Sequence, residues 1–235
     1  MGTLFCEPPL DAMREPVSAG GDRRPVIWKT GASSPDVEAI AGAGSLLKAG
    51  GIVVYPTETL YGLGADPWQR SAVERIYRVK GRGRGKPLPL IASSLEHVMK
   101  VAQWPKAASV LAKRFWPGPL TLLLPAVRDV PQWLHGGTEK IALRVSSHGV
   151  AVALAEAIGG LLISTSANLS GQPAVSDAKR IPPTLLALVD GILDSGVTGN
   201  LWGKRPTTIV DVCTPLPSLV RPGCVPWEAV SACLD

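Results

Sequence analysis

"GLLISTSANLSG", residues 160–171, decides how the rest of the chain is read. Leu161, Leu162 and Ile163 are apolar and read as a buried strand. Ser164, Thr165, Ser166, Asn168 and Ser170 then follow almost without a break. Serine and asparagine form turns because their side chains hydrogen-bond local backbone. A run this dense also suits an oxygen-rich ligand, since α/β sheets bind ligands at their strand ends. The choice between turn and site rests on what the other segments place beside it.

Outward from this strand the chain alternates between two kinds of pattern. "PVIWKT" (25–30) reads as a first strand, and "SSPDVEAIAGAGSLLKAGG" as a helix with Ser34 as N-cap, Pro35 at its first position and Gly50-Gly51 ending it. "IVVYPT" is a β-branched strand stopped by Pro56, and "SAVERIYRVKG" an amphipathic helix with Val73, Ile76, Tyr77 and Lys80 at helical spacing. "PLPLIAS", "LTLLLPA" and "KIALRV" read as strands; "SLEHVMKVA", "KAASVLAKRFW" and "GVAVALAEAIGG" read as helices. "TLLALVDGILDSG" is a helix followed by a strand, "TTIVDVC" and "PSLVR" are strands, and "VPWEAVSACL" is a closing helix. With no internal repeat and no long linker, this alternation implies an α/β fold of one domain over residues 25–235. Residues 1–24, rich in Pro, Gly and charge, read as a flexible N-terminal tail.

Of the 235 residues, 46% are hydrophobic and 18% charged, which excludes a disordered chain. No apolar run is long enough to span a bilayer, and the N-terminus lacks a secretory pattern, so no membrane partner and a cytoplasmic location are expected. The net charge of +5 favours anionic partners such as nucleotides or RNA. Cys6, Cys213, Cys224 and Cys233 show no CxxC spacing and no partnering histidines, so no protein metal site is expected and the thiols are read as reduced. The three histidines, 97, 135 and 148, leave few candidates for a histidine base; His148 reads as a structural hydrogen-bonder.

Four stretches place polar groups where a strand has just finished or a turn begins. "YPTETLYGLG" (55–64) offers Thr57, Glu58, Thr59 and Tyr61 before Gly62 and Gly64. "KGRGRGKP" (80–87) interleaves four cations with three glycines. It is not a P-loop, because Lys80 and Pro87 stand where that motif needs Gly and Ser or Thr. A compact cationic loop suits polyphosphate, lysine supplying a point charge and arginine a bidentate fork. "WPGPLT" (116–121) is a stiff turn into a strand, and residues 160–171 are the fourth.

In their order and spacing, "GGIVVYPTETLYGLG", "KGRGRGKPLPL", "FWPGPLTLLL", "IALRV…H", "STSANLSG", "TTIVD" and "VRPG" resemble the YrdC/Sua5 family of threonylcarbamoyl-AMP synthases. The resemblance covers about residues 36 to 230, and Lys80, Arg82, Ser166 and Asn168 form its most diagnostic pair of motifs. It implies a YrdC/RibB-like fold: an open, twisted mixed sheet flanked by helices around a large electropositive cavity. It implies that L-threonine, bicarbonate and ATP give threonylcarbamoyl-AMP, pyrophosphate and water, feeding t6A modification at position 37 of tRNA. By the same resemblance Lys80 and Arg82 are catalytic and, with Arg84, grip the triphosphate. Lys140, Ser166, Asn168, Ala174 and Arg221 complete the ATP side, and Thr57, Arg144, Ser164 and Thr207 take L-threonine. Mg2+ is expected to arrive with ATP. Proteins of the t6A machinery are expected partners, and binding of tRNA or double-stranded RNA is left open beside them.

Three positions depart from the family pattern: Thr207-Thr208 stands for Ser-Thr, Ser146 for a frequent Pro, and Ile91 for a threonine-binding His of some members. The chain ends soon after "VRPG", so by the same resemblance the short, single-domain form of the family is expected. An RNA-binding module without turnover is the competing reading. A carbamoyl-transfer domain like that of hydrogenase maturation proteins is a third, set aside because those domains occur in longer chains bearing zinc fingers.

Overall fold

β2 (Val53–Pro56) follows Ile52, and Ile52, Val53, Val54 and Tyr55 are all completely shielded from solvent. A short apolar strand of this kind is stable only with both faces covered. In the computed structural model, which describes residues 24–81, 87–202 and 204–234, β2 lies in the middle of a five-stranded sheet. β3 (Tyr61–Gly64) returns antiparallel beside it, and β8 (Thr165–Ser166) pairs antiparallel with β3. On the other side β9 (Gly191–Asp194) runs parallel to both β2 and the edge strand β1 (Val26–Lys29).

A second, six-stranded sheet holds β5 (Leu120–Pro125) and β6 (Lys140–Val145) as an antiparallel pair. β4 (Leu90–Ala92) runs parallel to β6, and β7 (Leu161–Ile163) antiparallel to β4 at one edge. β10 (Thr208–Asp211) runs parallel to β5, and β11 (Ser218–Arg221) closes the other edge.

Two apolar cores bind the sheets together. In one, α1 (Val37–Lys48) and α6 (Gly149–Ala157) present Ala43, Leu47, Ala151 and Leu154 to Tyr55 and Ile91. In the other, α2 (Arg70–Lys80) and α4 (Lys106–Phe115) supply Val73, Ile76, Ala108 and Leu111 beneath Leu63, Leu122 and Leu143. Because residues of both sheets enter both cores, the sheets share packing along a seam. The chain crosses that seam at Ser164, the single residue between β7 of the second sheet and β8 of the first. The remaining helices, α3 (Leu95–Met99), α5 (Gln132–His135), α7 (Pro183–Leu186) and α8 (Trp227–Ser231), are short.

Several expectations change. The α/β class holds, but the strands form two mixed sheets where one was expected. The N-cap of α1 is Asp36, not Ser34: its carboxylate accepts from Ala39 N at 2.8 Å, and its own N–H donates to Thr30 Oγ1 at 3.0 Å, holding it extended. β3 is a strand that the glycines conceal. Gly62 and Gly64 lower β-propensity, yet the Tyr55 ring lies so close that a Cβ on Gly64 would meet its Cε1 at 2.8 Å. α5 lies in a stretch whose sequence shows no helical period, and the helix before β9 is only the short α7. Residues 1–23 of the expected tail lie outside the described residues, as do Arg82 and Arg84. Among the described residues no helix is long and apolar enough to cross a membrane.

Candidate active site

Where the chain crosses between the sheets, a cavity of about 420 Å³ opens. Thr57, Arg144, Ser164 and Thr207 line it, and so do Lys80, Ser166, Asn168, Ala174 and Arg221. Among the described residues, three cations and no carboxylate stand in this lining. Of the described residues assigned by resemblance, Lys140 alone falls outside the lining. It begins β6, four residues before Arg144, and that offset is about 13 Å along a strand. Its Nζ donates to Asp211 Oδ2 at 2.6 Å, and this bond raises its pKa.

Lys80 is the last residue of α2 and is buried. Gly81 follows in the left-handed conformation (φ 54°), which stops the helix and turns the chain out. The Lys80 ammonium donates to Ser166 O at 2.9 Å and Asn168 O at 2.8 Å, and reaches Asn168 Oδ1 at 2.5 Å and Ser166 Oγ at 3.3 Å. Ser166 Oγ also donates to Asn168 Oδ1 at 2.5 Å, and Asn168 Nδ2 donates to Gln172 O. The lysine therefore ties the end of a helix to the turn after β8 and gives that turn its shape. This is a second duty beside the phosphate contact expected from sequence.

Arg144, on β6, is buried with 3% of its surface exposed, and Glu58, buried at 8%, is its counter-charge. Arg144 Nε donates to Glu58 Oε1 at 3.0 Å and Nη2 donates to Ser164 Oγ at 3.3 Å. Ser146 Oγ donates to the other carboxylate oxygen, Glu58 Oε2. Glu58 carries no assigned role in the sequence reading, although it sits in the quoted "PTET". Its partner lies 86 residues away, so no local pattern could reveal the pair.

Thr57 Oγ1 donates to Leu60 O at 2.7 Å and accepts from Thr59 N and Leu60 N, closing the turn between β2 and β3. Gly199, at φ 77°, passes so close that a Cβ there would meet Thr59 O at 1.8 Å, and Thr198 Oγ1 donates to Thr57 O. Thr207 Oγ1 lies 2.9 Å from Thr121 Oγ1 and accepts from Arg221 Nη2 at 2.9 Å. Arg221 also donates to Thr207 O from Nε at 3.2 Å and Nη2 at 2.8 Å. Thr207 thus retains a cavity-lining hydroxyl where the pattern has serine. Ile91 is completely buried against α6 and is absent from the cavity lining, so it supplies no substitute for the histidine of other members.

His148 differs from its expected role. Its backbone N–H donates to Ser146 Oγ at 3.1 Å, but its buried Nδ1 has no hydrogen-bond partner among the described residues. Burial lowers its pKa, and the nearby Glu58 carboxylate only partly counters this. A base whose folded pKa is depressed contributes stability that is fully present above the unfolded value, about 6.5, and is lost as pH falls through the lower folded one. The melting temperature is therefore expected to fall as pH drops below about 6.5, and His148→Leu to flatten that slope, as read by thermal unfolding across pH. An unchanged slope in His148→Leu would refute this.

Among the described residues no three His, Cys, Asp or Glu side chains cluster to hold a metal ion. Cys213 and Cys224 are poor nucleophiles: burial pushes the Cys213 thiol up to about 12, with Asp211 adding to it, and burial raises Cys224 as well.

The Sua5/YciO/YrdC family model, described as "Telomere recombination", matches residues 45–223. A threonylcarbamoyl-AMP synthase of Marinobacter nauticus is 40% identical over 184 residues, covering 77% of this chain and 95% of that protein. One of Pyrococcus abyssi is 37% identical over 80% of this chain, which spans 55% of that relative's length. The crystal structure of P. abyssi Sua5 complexed with L-threonine superposes with a TM-score of 0.82 at 34% identity, over 88% of this chain and 60% of that one. The motifs that meet at the cavity lie within the matched residues, and the chain belongs to the Sua5/YciO/YrdC family.

Proposed function

We propose that the protein is a threonylcarbamoyl-AMP synthase, a nucleotidyltransferase that converts L-threonine, bicarbonate and ATP into threonylcarbamoyl-AMP, pyrophosphate and water. The observation that carries this reading is the convergence of two differently built subsites on one cavity. Arg144 with Ser164 suits an amino-acid carboxylate, and Lys80 with Ser166 and Asn168 suits a nucleotide. The threonine amine and bicarbonate form a carbamate with loss of water. A carbamate oxygen then attacks the α-phosphorus of ATP, and the bond to the β-phosphate oxygen breaks to release pyrophosphate.

No side chain forms a covalent bond in this sequence of steps. The lining of hydroxyls, an amide and three cations therefore suffices, through positioning and charge stabilisation. Lys80, Arg82 and Arg84 are proposed to stabilise the triphosphate and departing pyrophosphate, and Ser166, Asn168, Ala174 and Arg221 to hold the nucleotide. Thr57, Arg144, Ser164 and Thr207 take L-threonine. Mg2+ enters as part of the ATP substrate; the described lining holds no carboxylate that would form an all-protein cage for it. Transfer of the product to tRNA falls to partner proteins of the t6A machinery, in the cytoplasm.

Pyrophosphate release from ATP is expected to require both L-threonine and bicarbonate. Release independent of L-threonine, or none while RNA binds tightly, would overturn this in favour of an RNA-binding module.

A further inference from the structure

We infer that Glu58 and Ser146 are positioning residues that set which donors of Arg144 are available to the substrate carboxylate; this rests on the L-threonine reading of the Arg144 subsite. A buried carboxylate free to choose would take a guanidinium in a bidentate fork, two parallel N–H donors on two oxygens. Glu58 does not. Its Oε1 accepts from Arg144 Nε at 3.0 Å, while Oε2 accepts from Ser146 Oγ. Ser146 is itself aimed: the His148 N–H donates to its oxygen at 3.1 Å, which leaves the hydroxyl proton for Glu58.

The consequence falls on Arg144. With one carboxylate oxygen taken by Ser146, the contact with Glu58 is confined to Nε, and Nη2 is left to bond Ser164 Oγ at 3.3 Å. Nη1 makes no hydrogen bond among the described residues. Since Arg144 lines the cavity, its terminal edge is the one a ligand carboxylate meets. Without the Ser146 hydroxyl, Oε2 swings to Nη2, draws it from Ser164 and consumes half of that edge. Glu58 also supplies the charge that lets a cation stay buried there before substrate arrives.

The test compares the intact protein with Ser146→Ala, Ser146→Thr and Glu58→Gln, using pyrophosphate release and calorimetric binding of L-threonine and L-threoninamide. Ser146→Ala is expected to raise the KM for L-threonine by about threefold to tenfold, and Glu58→Gln by about tenfold or more. The turnover number and the KM for ATP stay within about twofold. Ser146→Thr keeps the hydroxyl and restores the wild-type KM. Affinity for L-threoninamide, which lacks the carboxylate, is unaffected by Ser146→Ala.

Should Glu58→Gln fail to fold, Ser146→Ala decides alone, because it removes one oxygen and leaves the ion pair. An unchanged KM for L-threonine, or an equal loss for both substrates and turnover, overturns the positioning role while leaving the synthase reading intact. If the protein binds L-threonine without releasing pyrophosphate, the synthase reading fails, and the calorimetric affinities of the same variants still decide the positioning role. No binding of L-threonine by the wild type sinks both.

Discussion

Lys80→Ala is expected to lower pyrophosphate release by about 10²- to 10³-fold, the usual loss when a group stabilising transition-state charge is removed from an enclosed site. Two effects combine here. The ammonium is the cation proposed to meet the charge developing on departing pyrophosphate. It also holds the Ser166–Asn168 turn, through backbone oxygens at 2.9 and 2.8 Å and the Asn168 side chain at 2.5 Å. Without it, those oxygens lose a charged donor and the turn loses its shape. Lys80→Arg is expected to fail as well. The acceptors converge on one point, which suits a compact ammonium with three rotatable donors and not a planar fork. Initial rates at saturating substrates, together with a melting curve to exclude unfolding, make the measurement. Retention of more than about a tenth of wild-type activity in Lys80→Ala would refute the assignment.

Arg144→Ala is expected to abolish L-threonine binding and to destabilise the fold by about 3–5 kcal/mol, because Glu58 is left as a buried charge without its partner. The two losses can be separated. Glu58→Leu combined with Arg144→Met replaces the pair with apolar groups of similar volume, an exchange that is often neutral or stabilising. The double variant is expected to recover the melting temperature and still fail to bind L-threonine in calorimetry. Wild-type binding by the double variant would remove Arg144 from the substrate site. A loss below about 1 kcal/mol in Arg144→Ala, read by denaturant unfolding, would show that the pair is effectively solvated.

Much of the candidate site is legible in the chain because its residues cluster in short motifs beside apolar strands. "STSANLSG" announces its polar groups at a strand end, and the cavity indeed opens where β7 gives way to β8. The periodicity of "SAVERIYRVKG" places Val73, Ile76 and Tyr77 on the packed face, as found. Glu58 shows the opposite case. In sequence it is one carboxylate in a loop; its character comes from Arg144 and Ser146, 86 and 88 residues away. Lys140 is placed on the ATP side by resemblance alone; in the fold its ammonium bonds Asp211, 71 residues away, a pairing no local pattern announces.

By itself, the sequence determined the kinds of element and the chemical groups on offer: apolar alternation sets strands and helices, and a compact cationic loop with hydroxyl-rich strand ends suits an anionic, oxygen-rich ligand. Both follow from periods of two and 3.6 residues and from side-chain type, which are local properties. Tertiary structure alone decided that the strands divide into two sheets, that Tyr55 packs against Gly64 to make β3 a strand, and that Lys80 meets Ser166 and Asn168. It also left His148 Nδ1 buried without a partner among the described residues. Each of these depends on which distant groups share a low-dielectric interior, and there pairing and burial outweigh local preference.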